Sequence, residues 1–473
     1  MSDADFDDDT KLLCATCISE AYLCQKVENE GEERTCSYCK TVGQCFTIEA
    51  VADLVETAFA QHYTRTNPDP DYGGERDGDL IAVMIADVAR IEEQPAEDIQ
   101  KLLEERYSEM NTYYEEQEFA SDAQYEAKGP DDSKWMAEWN RFETQLKTET
   151  RFFSREASAT LASIFADVHL LATRKGKRAV VTAGPGKRLR YLYRARVFLD
   201  AESLTTGISY PEAQIGPPPS KLAKAGRMNA AGISVFYGAT DAQVALSEVR
   251  PPVGSRVVVC RFEIIRPLLL LDLSTLKYLA VGGSVFDPEF IGRLERAKFL
   301  ERLSSRMTMP VMPGDEEAEY LTTQAIADYL CSESDPPLDG IIYPSVQAKR
   351  TTERNVILFH KASMVVPSDL PPGTKVDAHL SMPTEDGEEP WFTVWENLPP
   401  EKRPEEKKDD DFPGFLSAFE AMNTNVEPAR LPALKLEKDK IVVHNVAAVR
   451  FTTSHDTVTH HRRDAKDWQN PPF

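Results

Sequence analysis

Four cysteines near the start of the chain have the spacing of metal ligands. Cys14 and Cys17 form one C-x-x-C pair, and Cys36 and Cys39 form a second pair after an interval of 18 residues. Each pair can present two thiolates from one tight turn, and two pairs complete the four-sulfur shell of a structural zinc ion. The pattern therefore predicts a zinc ribbon over residues 1–46. A redox role for these pairs would need a thioredoxin-like context, which the sequence lacks.

A carboxylate stands where helix electrostatics disfavour it. The stretch "ISVFYGATDAQVALSEVR" (residues 233–250) predicts a strand that ends at Tyr237 and a helix with Thr240 as its N-cap and Glu248 in its last turn. Negative charge at the C-terminal end of a helix costs about 0.3–1 kcal/mol because it opposes the macrodipole. Either something compensates for the charge of Glu248, or the function of the protein, and not its fold, requires that charge.

Three arginines and a serine are placed where an anion or a ligand could bind. Arg194 and Arg196 lie on one face of the predicted strand "YLYRARVFL", which fits either a pair of guanidinium groups that binds an anion or two exposed arginines on an edge strand. Arg227 stands in the glycine-bounded loop "GRMNAAG" before the Tyr237 strand. Ser345 follows the predicted strand "GIIYP", and clefts form at such strand ends.

The elements that position these residues divide the chain into four predicted domains. Apolar residues recur at helical spacing over residues 47–174, which predicts a helical domain. Short strands of period two alternate with helices over residues 185–366. Residues 367–473 read as a C-terminal extension with a charged, proline-rich linker and terminal strands. The predicted fold class is α+β.

Composition excludes several classes of protein. The chain has 473 residues with 54 Lys and Arg against 78 Asp and Glu, so the net charge of −24 argues against general nucleic-acid binding. One segment, residues 171–200, carries nine Lys or Arg and one acid, which fits either a local anion site or a solvated linker. With no signal-peptide pattern and no apolar run of about 18 residues, we expect a cytoplasmic protein without membrane contact.

In their order and context these motifs resemble the RES family, named for its Arg, Glu and Ser. The resemblance is carried by "YRAR", "GRMNAAG", a strand tyrosine followed by "ALSEVRP", and "GIIYPS", which occur in this order between residues 191 and 360. The region before them resembles, more loosely, the zinc-ribbon and helical part fused to some RES proteins. The resemblance implies a fold similar to that of ADP-ribosyltransferases.

The same resemblance implies an enzyme that consumes NAD⁺, as bacterial toxins with a helix-turn-helix antitoxin do. The reaction could be phosphorolysis, hydrolysis or ADP-ribosyl transfer to a macromolecule. The partner could be an antitoxin or another regulatory protein, and the protein could form a homo-oligomer. The resemblance also assigns roles by position. Arg194 and Arg227 would hold the phosphates or ribose, and Glu248 would be the catalytic acid. Tyr237 would line the nicotinamide side of the site, and Ser345 would orient the nicotinamide.

Two other functions compete with NAD⁺ cleavage. Ribonucleases of the HEPN type carry an arginine followed a few residues later by a histidine, and the pairs Arg450 with His455 and Arg354 with His360 match this pattern in strand-like sequence. The second competitor is a non-catalytic scaffold in which the zinc ribbon recruits a partner. Release of free nicotinamide from NAD⁺ would distinguish the proposed enzyme from both.

Overall fold

The computed structural model describes residues 10–67, 77–108, 117–151, 154–309, 311, 314–345, 353–385, 387–400, 430–450 and 453–460. The architecture is a mixture of helices and antiparallel sheets, so the predicted α+β class is confirmed. In this described part of the chain, no helix combines the length and the hydropathy that crossing a bilayer requires. The predicted linker lies almost entirely within residues 401–429, outside the described residues.

In its described residues, the N-terminal part combines two small sheets with four helices. One sheet has the order β1-β3-β2 and contains β1 (Leu12–Cys14), β2 (Glu32–Thr35) and β3 (Val42–Thr47). The other has the order β4-β6-β5 and contains β4 (Tyr63–Arg65), β5 (Asp79–Leu80) and β6 (Gln124–Ala127). The helices are α1 (Ala21–Glu30), α2 (Ile48–His62), α3 (Ile81–Ala89) and α4 (Glu93–Ser108).

A single apolar core joins the cysteine-rich segment to these helices. Leu13 and Leu23, from either side of the first cysteine pair, pack in one buried cluster with Val51, Ile85 and Ile99. The next two helices, α5 (Ser133–Thr148) and α6 (Arg155–Phe165), instead bury apolar side chains in the core of the following domain. The predicted boundaries between the four domains stay a prediction.

An eight-stranded sheet forms the centre of the second half of the chain. Its order is β16-β10-β8-β9-β13-β12-β11-β7, and every neighbouring pair is antiparallel except β11 with β12. The strands are β7 (Val180–Ala183), β8 (Tyr191–Phe198), β9 (Phe236–Ala239), β10 (Arg256–Ile264), β11 (Leu268–Asp272), β12 (Gly340–Pro344), β13 (Arg354–Leu358) and β16 (Leu434–Asn445). A separate hairpin contains β14 (Lys375–Thr384) and β15 (Gly387–Asn397).

Both faces of this sheet are covered, because successive strand residues point to opposite sides. Leu192, Phe236 and Val356 belong to the core on one face, whereas Ile357 and Leu271 belong to the core on the other. The covering helices are α7 (Ala201–Ser209), α8 (Pro211–Gln214), α9 (Ala242–Glu248), α10 (Leu273–Leu276), α11 (Phe290–Thr308) and α12 (Glu316–Ser332). The C-terminal strand β16 completes the sheet by pairing with β10.

Candidate active site

The helix that carries Glu248 begins one residue later than predicted. Its N-cap is Asp241, whose carboxylate accepts a hydrogen bond from the amide of Gln243 at 2.7 Å. The expectation of Thr240 as N-cap is wrong, because Thr240 is held by the neighbouring strand. The Thr240 amide donates to the carbonyl of Arg354, and its hydroxyl accepts from the amide of Arg354.

Glu248 is the last residue of α9, and its carboxylate is held by two donors from the central sheet. Its Oε1 accepts one hydrogen bond from Ser345 Oγ and one from Asn355 Nδ2, each at 2.7 Å. A hydrogen bond to a charged group stabilises by about 1.5–3 kcal/mol, which offsets the unfavourable helix position. These two hydrogen bonds compensate for the unfavourable position of the Glu248 charge at the end of the helix.

A cavity of about 250 Å³ opens beside this carboxylate. The polar and aromatic residues that line it are Glu248, Arg194, Tyr237, Tyr193, Tyr343 and Asn355. It lies where β8 and β9 diverge, since the one ladder pair between these strands joins Tyr193 to Ala239. The volume falls just below the usual range of about 300–1,000 Å³ for drug-sized ligands, so the cavity suits one end of a larger molecule.

Arg194 brings a cation to this cavity. Its guanidinium donates to the main-chain oxygen of Tyr237 at 3.3 Å and lies 5.4 Å from the ring centroid of Phe236. Burial lowers the pKa of Arg194 to about 10, so the side chain stays charged at neutral pH. Within the described residues no carboxylate oxygen lies within 4.0 Å of this guanidinium. The charge of Arg194 is therefore available to an anionic ligand.

The predicted pair of arginines does not converge on one anion. Arg196 lies on the same strand face as Arg194 but is exposed, and its guanidinium donates to the main-chain and side-chain oxygens of Gln214. Only the first of the two arginines lines the cavity beside Glu248.

Tyr237 connects the cavity to the "GRMNAAG" loop. Its hydroxyl donates to Asn229 Oδ1 at 2.8 Å and accepts from the amide of Met228 at 3.2 Å. Burial raises the pKa of Tyr237 to about 12, so the hydroxyl stays protonated at neutral pH. A Cβ atom at Gly226 would lie 2.6 Å from this hydroxyl, which explains why glycine suits that loop position. The ring is thereby fixed at the cavity wall.

Arg227 does not line the cavity beside Glu248. Its guanidinium donates to the main-chain oxygens of Met307 and Met309, each at 2.8 Å, and lies 5.6 Å from the ring centroid of Tyr320. The structure thus brings Glu248, Ser345, Arg194 and Tyr237 together and leaves Arg227 in a neighbouring cavity.

Two residues at the site were missed by the sequence analysis. Asn355 was not singled out, because it stands between Arg354 and the apolar run "VILF" and has no local feature that marks it as functional. Tyr343 stood inside a quoted motif without a role. The two residues are ladder partners in β12 and β13. Burial, with the negative charge of Glu248 adding to it, raises the pKa of Tyr343.

The four predicted metal ligands do converge. The sulfur atoms of Cys14, Cys17, Cys36 and Cys39 all lie within 4.8 Å of one another. Cys14 Sγ is 3.5 Å from Cys17 Sγ and 3.4 Å from Cys39 Sγ, while Cys17 and Cys36 are 3.9 Å apart. Tetrahedral thiolates about 2.3 Å from a zinc ion lie roughly 3.8 Å apart. The cluster therefore has the geometry to bind a metal ion.

The residues that match a ribonuclease pattern are placed elsewhere. Arg354 donates to Asp272, and the ring Nδ1 of His360 lies 2.9 Å from the carbonyl of Ser234. Arg450 and His455 are exposed and lie outside helices and strands. None of these residues lines the cavity beside Glu248.

Comparison with family sequence models agrees with this architecture. The model of the RES domain matches residues 192–382, so the chain contains a RES domain over these residues. More particularly, a HEPN/RES N-terminal domain 1 precedes the RES domain, because that model matches residues 29–160. The N-terminal match contains a single histidine, His62, whose nearest preceding arginine is Arg34, so it lacks the ribonuclease spacing. No curated protein and no solved structure matches the chain significantly.

Proposed function

We propose that this protein consumes NAD⁺ by cleaving the bond between nicotinamide and ribose, and so depletes the NAD⁺ of the cell as a toxin. The observation that carries the proposal is the Glu248 carboxylate, fixed by two neutral donors at a cavity that also holds the cation of Arg194. The match of residues 192–382 to the RES domain supports it, and by position Arg194, Glu248 and Ser345 would be the Arg, Glu and Ser that give the family its name.

The proposed chemistry requires negative charge beside the ribose. When the C–N bond breaks, nicotinamide leaves with the electron pair and positive charge develops on the ribose. Water or inorganic phosphate then bonds to the anomeric carbon and gives up a proton. A fixed carboxylate stabilises this charge, and a preorganised group of this kind typically contributes about 10²- to 10³-fold. Glu248 would take this role as the catalytic residue.

The remaining site residues would bind the dinucleotide. Arg194 would pair with a phosphate through its forked donors, and the rings of Tyr237 and Tyr343 would face the planar nicotinamide. The cavity would hold the nicotinamide riboside end, with the adenosine end outside it. Ser345 would act through Glu248, to which its hydroxyl donates. A phosphate-binding role for Arg227 stays a prediction.

The wider assignments belong to the same proposal. We infer an ADP-ribosyltransferase-like fold, because a cavity lies where two strands of the central sheet diverge. The four cysteines would hold one structural zinc ion in a shell without an open position. We further propose that the protein is cytoplasmic, that a regulatory partner such as an antitoxin binds it, and that it forms a homo-oligomer.

Product analysis tests which reaction takes place. The purified protein would be incubated with NAD⁺ with and without inorganic phosphate, and the products would be identified by mass spectrometry. Phosphorolysis predicts ADP-ribose with a phosphate on its anomeric carbon, formed only when phosphate is present. Hydrolysis predicts free ADP-ribose in both samples. Label transferred from NAD⁺ to a macromolecule would instead support ADP-ribosyl transfer.

Changing Ser345 to alanine should slow the reaction only partly. A hydrogen bond to a charged group contributes about 1.5–3 kcal/mol, and the loss should stay near the lower end, roughly tenfold in rate, because Asn355 still holds the same carboxylate oxygen. The measurement is kcat for nicotinamide release by Ser345→Ala. Wild-type kcat in this variant would reduce Ser345 to a structural residue at the strand end.

Changing Arg194 to methionine should weaken NAD⁺ binding. Loss of one hydrogen bond to a charged group costs about 1.5–3 kcal/mol, so KM should rise about 10- to 100-fold. Stability should not fall, because the substitution removes a buried cation that has no carboxylate partner among the described residues.

The neighbouring arginine provides a matched control for this variant. Arg196→Met removes the same charge two residues away on the same strand face, where the guanidinium contacts Gln214 instead of the cavity. Its KM should stay at the wild-type value. Equal effects of the two substitutions on KM would show that the general positive charge of the strand, and not Arg194 itself, binds the substrate.

A further inference from the structure

We propose that Asn355 is a positioning residue, which fixes one oxygen of the Glu248 carboxylate so that the other oxygen faces the substrate. This inference rests on the proposed function. It concerns a residue outside the Arg, Glu and Ser that give the family its name, and it follows from which atoms the donors touch.

Both protein donors bind the same carboxylate oxygen. Ser345 Oγ and Asn355 Nδ2 each lie 2.7 Å from Glu248 Oε1. Oε2 accepts no hydrogen bond from any residue in the described part of the chain. Because Glu248 lines the cavity, the second oxygen is the one that can meet the ribose.

Asn355 is the rigid member of this contact and Glu248 is the adaptable one. The asparagine is 4% exposed and sits inside the sheet, with ladder partners on both sides, Tyr343 in β12 and Ala239 in β9. Glu248 instead ends a helix of seven residues and is exposed as a whole. A short buried side chain on a central strand can therefore set the orientation of a long side chain on a short helix.

The chemistry of the donors preserves the charge that the reaction needs. Asn355 and Ser345 are neutral donors, and no Lys or Arg nitrogen lies within 4.0 Å of the Glu248 carboxylate among the described residues. A lysine or arginine at position 355 would orient the carboxylate equally well but would neutralise its field. An amide donor orients the carboxylate and leaves its charge for the developing ribosyl cation.

Two substitutions at this position test the inference. Asn355→Leu keeps a similar size and removes the donor, so kcat should fall about 10- to 100-fold, the worth of one hydrogen bond to a charged group. KM for NAD⁺ should change little, because Arg194 and the aromatic rings are untouched. The melting temperature should stay near the wild-type value, since the freed carboxylate is on an exposed residue and can be hydrated.

The pH dependence of the activity of Asn355→Asp distinguishes a positioning role from a purely structural one. Near neutral pH the new carboxylate would repel Glu248, so activity should fall further than in Asn355→Leu. As the pH is lowered from about 8 to about 5, one carboxyl of such a pair takes up a proton and becomes a donor. The activity of Asn355→Asp relative to wild type should then rise. The nearby tyrosines, Tyr237 and Tyr343, have raised pKa values and stay protonated throughout this range.

The outcomes separate this inference from the proposed function. Wild-type kcat in Asn355→Leu overturns the inference and leaves NAD⁺ cleavage standing. If Asn355→Leu also loses folded protein, the pH series of Asn355→Asp decides, and a constant ratio to wild type overturns the inference. A wild-type protein that releases no nicotinamide overturns both.

Discussion

Replacing Glu248 with glutamine is expected to slow nicotinamide release by about 10²-fold or more without unfolding the protein. The amide oxygen of glutamine can accept the same two hydrogen bonds from Ser345 and Asn355, so the geometry of the site should be retained. What disappears is the charge that a ribosyl cation would feel. NAD⁺ binding should be largely retained, because the ground state lacks that positive charge on the sugar.

Three measurements check this expectation: the rate of nicotinamide release, the dissociation constant for NAD⁺, and the melting temperature. The melting temperature should be unchanged or slightly higher, since a negative charge is removed from the C-terminal end of α9. A purely structural carboxylate would give the opposite pattern, with lower stability and normal turnover per folded molecule.

A carboxylate away from the cavity serves as the control. Glu263 in β10 forms an ion pair with Arg190, at 2.6 Å between Oε1 and Nη2, and does not line the cavity. Glu263→Gln should release nicotinamide at the wild-type rate. The same loss of turnover in both variants would contradict a specific role for Glu248.

Replacing Cys36 and Cys39 together with serine is expected to abolish metal binding and to destabilise the N-terminal part of the protein strongly. Structural zinc in small domains binds with an apparent free energy of about 10–16 kcal/mol, as large as the whole folding free energy of a typical domain. The residues around the cluster share one core with α2 and α4, so loss of the metal should be felt in those helices.

The wild-type protein should contain about one zinc ion per chain, the stoichiometry of a four-sulfur shell. Metal analysis and thermal unfolding check both parts of the prediction. Cys24→Ser is the control, because Cys24 lies outside the cluster and its thiol donates to the carbonyl of Ala15. Unchanged zinc content in the double variant would show that the assignment is wrong.

NAD⁺ turnover should survive the cysteine substitutions if the cysteine cluster only supports or targets the RES domain. The cysteine cluster and the cavity beside Glu248 belong to separate buried clusters, which favours this outcome. If the RES domain of the cysteine variant stays folded but no longer turns over NAD⁺, the N-terminal part controls the site.

Local patterns in the sequence were sufficient for the metal cluster. The two cysteine pairs converge because each pair is a tight turn, and an antiparallel sheet of three short strands brings the turns together. The face of Arg194 was also predictable, since strand alternation depends only on neighbouring residues. Alternation could not predict that Arg196 would turn away to Gln214, a residue on the separate helix α8.

Contacts between distant strands were beyond the sequence pattern. Ser345 and Glu248 are 97 residues apart, and only the resemblance to a family placed them at one site. Asn355 carries no local signal, because its contact with Glu248 depends on the position of β13 between β9 and β12. Thr240 was assigned the cap of α9 since nothing local reveals its hydrogen bonds to Arg354.

The most direct test of the central claim is quantification of nicotinamide released from NAD⁺ by the purified, metal-loaded protein of 473 residues in phosphate buffer. The proposal predicts that one nicotinamide appears for each NAD⁺ consumed, and that Glu248→Gln releases about 10²-fold less under the same conditions. Intact NAD⁺ after prolonged incubation with folded, metal-loaded protein would contradict it, as would equal release by the wild type and the variant.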